Sequence, residues 1–243
     1  MRLSYQQIEE IAAVAIEDFN DFFFGNSEEV HKIGATPIDQ FASQYLKLDV
    51  KIERLCTDES ICGVTAYSDT ILISEINGVK VPLPIKQNQV LLDIHFMQPG
   101  NIQKLCGKRR FTLAHECAHQ LLYQMESDEG KAACRKMYTN KKAFTARELK
   151  TKEDWNEWQA NALGAALILP KRDVCLVVDY MTRGRKLFST FGNLDRLGNM
   201  VVNEVSDIFH ASPSAVKIRL ERLGYIEDIT EEMVDLRREE AMA

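Results

Sequence analysis

His115-Glu116-Cys117-Ala118-His119 constrains this chain more than any other stretch of it. Two histidines four apart act together only on a helix. There, four residues advance about 400° and roughly 6 Å, so both imidazoles leave one face and can share one ion. Glu116 stands about 100° round from His115, near enough to take a proton from a water at that ion without being a ligand. H-E-x-x-H on a helix is a zinc-site pattern with the glutamate as general base. It supplies two protein ligands, whereas a catalytic zinc takes three and keeps its fourth tetrahedral position open.

The stretch Glu157-Trp-Gln-Ala-Asn-Ala-Leu-Gly-Ala-Ala-Leu-Ile-Leu-Pro170 reads as a second helix, apolar enough for burial and ended by proline. Glu157 and Asn161 stand four apart and share a face of it. A carboxylate from Glu157 would complete a set of two histidines and one glutamate. Asn161, one turn on, is placed to accept a hydrogen bond from the second ring N–H of a ligand histidine and so hold its tautomer. Glu153, one turn before Glu157, is the rival third ligand, ranked behind it but not excluded by spacing. His31, His95 and His210 occur singly and read as packed or surface histidines. Cys117, two residues from each motif histidine, reads as a buried thiol facing away from the ion.

Arg110-Phe111-Thr112-Leu113-Ala114-His115-Glu116-Cys117-Ala118-His119, followed by the stretch from Glu157 to Pro170, closely resembles the signature helices of the ImmA/IrrE family of metallopeptidases. Those signatures are R-F-T-L-A-H-E-x-x-H and E-x-x-A-N-x-(F/L)-A-A-x-L-L-M-P. The resemblance implies a zincin-like, mini-gluzincin fold in which Glu157 is the third zinc ligand. It extends less specifically upstream, where Thr36-Pro37-Ile38-Asp39 through Leu55 is similar to the family's helix-then-strand entry. Downstream, Ser212-Pro213-Ser214-Ala215 through Gly224 is similar to its S-x-S-A-x-x-x-R-L-x-x-L-G ending. Cys117 stands where the family has Leu, Ala118 where it has Gly, and His119 is far from Glu157 in sequence; no ligand or base is lost. Members typically cut a helix-turn-helix repressor, releasing genes of mobile elements or stress responses, and others sit in toxin–antitoxin pairs. The resemblance thus implies a site-specific zinc endopeptidase with a helix-turn-helix transcriptional repressor as partner and substrate.

At 243 residues the chain has room for one substantial core and a small module, and 45% hydrophobic with 27% charged residues is ordinary for a soluble globular protein. A net charge of −6 argues against general nucleic-acid binding. There is no apolar run long enough to span a membrane, and the amino terminus lacks the pattern of an export signal. The six cysteines, at 56, 62, 106, 117, 134 and 175, form no C-x-x-C pair, which points to reduced thiols. The expected location is the cytoplasm, with no membrane partner.

The expected fold class is α+β. A zincin-like metallopeptidase domain over 1–170 places helices on a small mixed or antiparallel sheet, and a small all-α, helix-turn-helix-like module occupies 171–243. Ile8, Ile11, Ala12, Ala15, Ile16, Phe19 and Phe22 recur at helical spacing over 4–24, closed by Gly25. A second helix starts at Pro37 and runs to about Lys47. Strands are predicted at 48–55, 64–67, 70–73 and 89–94, with Asn77-Gly78 as a turn. Val90-Leu91-Leu92-Asp93 is the candidate rim strand of a cleft, where a peptide could add to the sheet. Residues 131–152 hold eight Lys/Arg against Glu148 alone; a solvated excursion is favoured over a basic collar for an acidic partner. In the module, Leu194, Leu197, Val201, Val205, Ile208 and Phe209 line one helix, and Ser212-Pro213 opens the next. Lys217, Arg219 and Arg222 on that helix suit DNA reading, but seven acids against two arginines over 227–243 would repel phosphate. Direct DNA binding is not expected.

Zn2+ is the expected cofactor, and two histidines with a glutamate also accept Mn2+. Tyr123, Tyr138, Tyr180, His210 and the arginines are candidate donors to a tetrahedral oxyanion, and the sequence does not choose among them. The competing reading is a non-proteolytic regulator that keeps the metal fold and acts through its carboxy-terminal helices on DNA or a partner. Glu116 favours the enzyme, since a pure binder needs no general base beside its metal.

Overall fold

The computed structural model describes residues 2–25, 33–58, 60–134 and 152–229, the side chains of 132–134 and 152–154 excepted. The chain divides into two compact units, Met1–Pro170 and Lys171–Ala243. The first opens with helix α1 (Tyr5–Phe24), started by a capping box in which Ser4 and Gln7 satisfy each other's backbone N–H groups. Gly25 ends it at φ 66. Ile8, Ala12, Ala15 and Phe19 form its buried stripe, the period expected of an amphipathic helix. Phe22, read as part of that stripe, is instead 57% exposed, its ring edge-on to Phe23 and Tyr45. α2 (Ile38–Gln40) follows Pro37 and widens into a π-turn over Phe41–Tyr45.

β1 (Asp49–Glu53), β2 (Gly63–Thr65) and β5 (Gln89–Asp93) build a mixed sheet in the order β1-β5-β2, with β5 parallel to β1 and antiparallel to β2. β3 (Thr70–Ile76) and β4 (Val79–Ile85) form a separate hairpin. Asn77 and Gly78 join them at φ 53 and 76, the left-handed pair a type I′ turn requires. β4 is absent from the sequence reading because Pro82 and Pro84 interrupt its run, and both are tolerated on a strand paired along one side. The rim assignment of Val90-Leu91-Leu92-Asp93 is also corrected. It belongs to the central strand, buried along its whole length. An unbroken apolar run suits a strand covered on both faces, and the outer strands are β1 and β2.

α3 (Asn101–Lys104) leads into α4 (Cys106–Met125), followed by α5 (Asp128–Cys134) and α6 (Lys152–Ile168). α4 lies along β2 on one face of the sheet, since a Cβ on Gly63 would meet Thr112, Glu116 and Leu92 together. On the other face Val64 and Leu91 pack with Leu55, Ala66, Leu72 and Ile85 of the hairpin and its approaches. The first unit is therefore layered as hairpin, sheet and helices, an α+β arrangement.

The second unit holds α7 (Lys171–Thr182), β6 (Leu187–Thr190), β7 (Asn193–Leu194), α8 (Arg196–Phe209), α9 (Pro213–Arg222) and β8 (Ile226–Asp228). Its sheet, ordered β7-β6-β8, corrects the expectation of an all-α module. Strands this short show no period of their own beside helical neighbours. α8 and α9 meet through His210, which caps α8 at φ 50, and Ser212 caps α9 with Pro213 at its first position. Of the three cations considered for DNA, Arg219 is 1% exposed. Lys217 donates to the Gly192 carbonyl and lies 3.8 Å from Glu221; only Arg222 is exposed.

Candidate metal centre

The centre is built where α4 crosses α6. α4 is buried without a break from Thr112 to Gln120. In α6, Ala160, Ala162, Leu163, Ala166, Leu167 and Ile168 are all buried, so its carboxy-terminal half lies inside the core. Gly164 sets how closely the two approach. A Cβ there would stand 3.0 Å from both N and Cα of His115, so α6 rests directly on the backbone of the first motif histidine. Thr36 ties the pair together. Its hydroxyl donates to the Leu167 carbonyl at 2.7 Å, and its own carbonyl accepts from the Arg110 guanidinium at 2.7 Å. Arg109 adds a two-point ion pair with Asp39 at 2.6 and 3.2 Å.

That packing brings His115, His119 and Glu157 into one buried group whose ligand atoms all lie within 4.8 Å of one another. The two Nε2 atoms are 3.0 Å apart. Glu157 places Oε1 3.1 Å from His119 Nε2 and Oε2 3.5 Å from His115 Nε2. A tetrahedron with bonds of about 2.0–2.1 Å has edges of about 3.3 Å, so these separations suit donors sharing one small divalent ion. Two imidazole nitrogens and a carboxylate are a borderline-hard set that accepts zinc or manganese. Burial alone would raise the Glu157 carboxyl, but hydrogen bonding and charge from both histidine rings outweigh it and bring it from 4.5 to about 2. It is an anion ready to ligate.

Glu116, on the same helix between the two histidines, is fully buried. Its carboxylate lies against β2, where Oε1 would be 3.1 Å from a Cβ on Gly63. One turn on, the Gln120 amide donates to Thr65 Oγ1 at 2.6 Å and to the Ala66 carbonyl at 3.1 Å, pinning α4 to the end of β2. Burial pushes the Cys117 thiol well up, and the Glu116 charge adds to this, so it stays protonated. Asn161 is half-buried one turn after Glu157; among the described residues no hydrogen bond joins it to either histidine. The side chain of Glu153 lies outside the described residues, as do Tyr138, His31 and most of the basic stretch 131–152. Tyr123 sits one turn after His119 and stacks on Tyr67, while Tyr180 and His210 belong to the second unit. His95 pairs with Asp93 at 2.8 Å, both buried.

Gly63, Gly164 and Gln120 were not singled out in the sequence, and Thr36 entered only as the start of the upstream resemblance. Gly164 left a trace there as a small residue seven positions after Glu157 and hence on the same helix face. Comparison of the sequence with protein-family models and with curated proteins finds no match. The geometry itself defines the class of site: a buried group of two histidines and a carboxylate on two crossed helices, able to hold a divalent ion and accompanied by a second carboxylate outside the ligand set.

Proposed function

We propose that this protein is a zinc-dependent endopeptidase of the zincin type, a member of the ImmA/IrrE family, acting in the cytoplasm on a helix-turn-helix transcriptional repressor. The convergence of His115, His119 and Glu157 from sequence-distant helices, with Glu116 beside them, is the observation that carries this reading. The motif resemblance supplies the family and the kind of substrate. Among the described residues no helix is long and apolar enough to cross a membrane.

His115 and His119 would hold the ion through Nε2 and Glu157 through its carboxylate. Bound there, Zn2+ supplies Lewis acidity to a peptide carbonyl and lowers the pKa of water towards about 7, and Mn2+ suits the same donors. Glu116 takes the proton of the attacking water and passes it to the leaving amine. Its burial against Gly63 and Thr112 holds the carboxylate in place for both transfers. Substrate main chain is met by β2. Cys62 accepts from Asp93 N–H and Ala66 N–H donates to Gln89. Strand alternation therefore turns the backbone groups of Gly63 and Thr65 towards the other edge, where an extended peptide can add. A non-proteolytic DNA-binding role gains little support from α9, whose Arg219 is buried and whose Lys217 is engaged within the unit.

Purified wild type, Glu116→Gln and Glu157→Ala distinguish the parts of this account through zinc content and hydrolysis of an added peptide pool. Wild type should bind zinc and cut, Glu116→Gln should bind and not cut, and Glu157→Ala should lose both. Cutting at the wild-type rate by Glu116→Gln removes the assigned mechanism.

A further inference from the structure

Helix α4 and strand β2 run side by side past the metal group in a fixed register. Gly63 stands against Thr112 and Glu116, Thr65 and Ala66 accept from Gln120, and Tyr67 stacks on Tyr123. The two rings have centroids 4.4 Å apart and planes 18° from parallel. Tyr123 lies one turn beyond His119, on the face that carries both motif histidines. The tyrosine pair therefore stands at one end of the track along β2, half-buried, and takes no part in the proton transfers assigned to Glu116.

Acidic groups flank the tyrosine pair in both segments. α4 stops at Met125, so its last carbonyls, the negative end of the helix dipole, gather beside Tyr123. Glu126 is the capping residue, and Asp69, two positions after Tyr67, accepts from the Gln87 N–H. No lysine or arginine occurs in 55–79 or in 111–130, the two segments that carry the tyrosines. Aromatic faces are themselves electronegative and attract cations. A guanidinium, planar and weakly hydrated, stacks on such faces better than an ammonium.

We propose that Tyr67 and Tyr123 form a subsite for a long cationic side chain, arginine ahead of lysine, on the acyl side of the scissile bond. The direction rests on the peptidase reading. A peptide added antiparallel to β2 with its reacting carbonyl beside Glu116 runs amino-terminally towards Tyr67. Tyr67 lies two residues past the end of β2, at most roughly 13 Å along the chain from Gly63, which puts the cationic residue within about three or four positions before the cut bond.

The test titrates zinc-loaded, full-length Glu116→Gln with labelled peptides that differ at a single position by fluorescence anisotropy. The residues compared are arginine, citrulline, norleucine and glutamate; citrulline keeps the shape of arginine and removes its charge. Arginine should bind about tenfold more tightly than citrulline at one position. Adding Tyr67→Ala or Tyr123→Ala should abolish that preference, whereas the Phe variants, which keep the ring faces, should retain it; zinc content checks that each variant is folded. Equal affinity for arginine and citrulline at every position, or a preference that survives both alanine variants, overturns the subsite. The arginine–citrulline comparison on Glu116→Gln itself needs no tyrosine variant. Mass spectrometry of the same peptides after exposure to wild type separates the two claims. Arginine-selective binding without cutting refutes the peptidase and leaves a cation subsite without its placement relative to a cut bond, and cutting without arginine preference refutes the subsite and leaves the peptidase.

Discussion

Glu116 and Glu157 are carboxylates of the same chemistry given different work by their positions. Glu157 faces two imidazole nitrogens and is held as an anion; Glu116 points beside them, against β2. Exchanging Glu116 for Gln keeps shape and removes basicity, so metal content should stay at the wild-type level while kcat/KM falls by about 10²–10⁴-fold or more. Loss of Glu157 should weaken metal binding beyond the about 10–100-fold typical of an outer partner, as equilibrium zinc titration of Glu157→Ala would reveal. In the metal-free protein the depressed Glu157 carboxyl has a signed consequence. Its contribution to stability is complete above pH 4.5 and lost as pH falls through about 2. Urea midpoints of metal-free wild type and Glu157→Gln should accordingly differ at neutral pH and converge in acid. The motif residues were legible in the sequence because helical spacing alone puts His115 and His119 on one face. Gly63 was not, because its significance lies in what packs against it.

At the scale of elements, the site is a contact between two helices and depends on how near they come. Gly164→Ala places a methyl group against the His115 backbone, which cannot swing aside as a side chain would. The helices must separate, at a cost of about 1–3 kcal/mol. Chemical denaturation should register the destabilisation, and zinc titration should show weaker binding, although Gly164 touches no metal. Undiminished affinity in a folded Gly164→Ala protein would mean that helix spacing does not set the ligand geometry. The helices themselves were readable from caps and apolar period, as at Ser4, Gly25 and Ser212. The strands were read less well. β5 was placed at a rim because a short apolar run carries no label for centre or edge, and β4 was hidden by Pro82 and Pro84. The strands of the second unit are too brief to show alternation at all.

For the whole molecule, an ion held by His115, His119 and Glu157 would link metal to fold within the first unit. An ion that binds only the folded state adds about 2.7 kcal/mol at a hundredfold excess over its dissociation constant. Chelation should lower hydrogen-exchange protection in α4 and α6, where the ligands lie, and leave α8 and α9 unchanged; an equal loss throughout would contradict that localisation. The second unit was read as helix-turn-helix-like from Ser212-Pro213 and the apolar line of α8, and the acids of 227–243 already argued against DNA reading. Packing adds the burial of Arg219, since a sequence shows that Arg219 is a cation but not that it is buried.

Peptide-bond hydrolysis in a selected protein is read by terminal-amine mass spectrometry on host lysate treated with zinc-loaded wild type or with zinc-loaded Glu116→Gln. A small set of new amino termini should appear only with wild type and map to a helix-turn-helix repressor. Indistinguishable terminal profiles from the two proteins would contradict such hydrolysis.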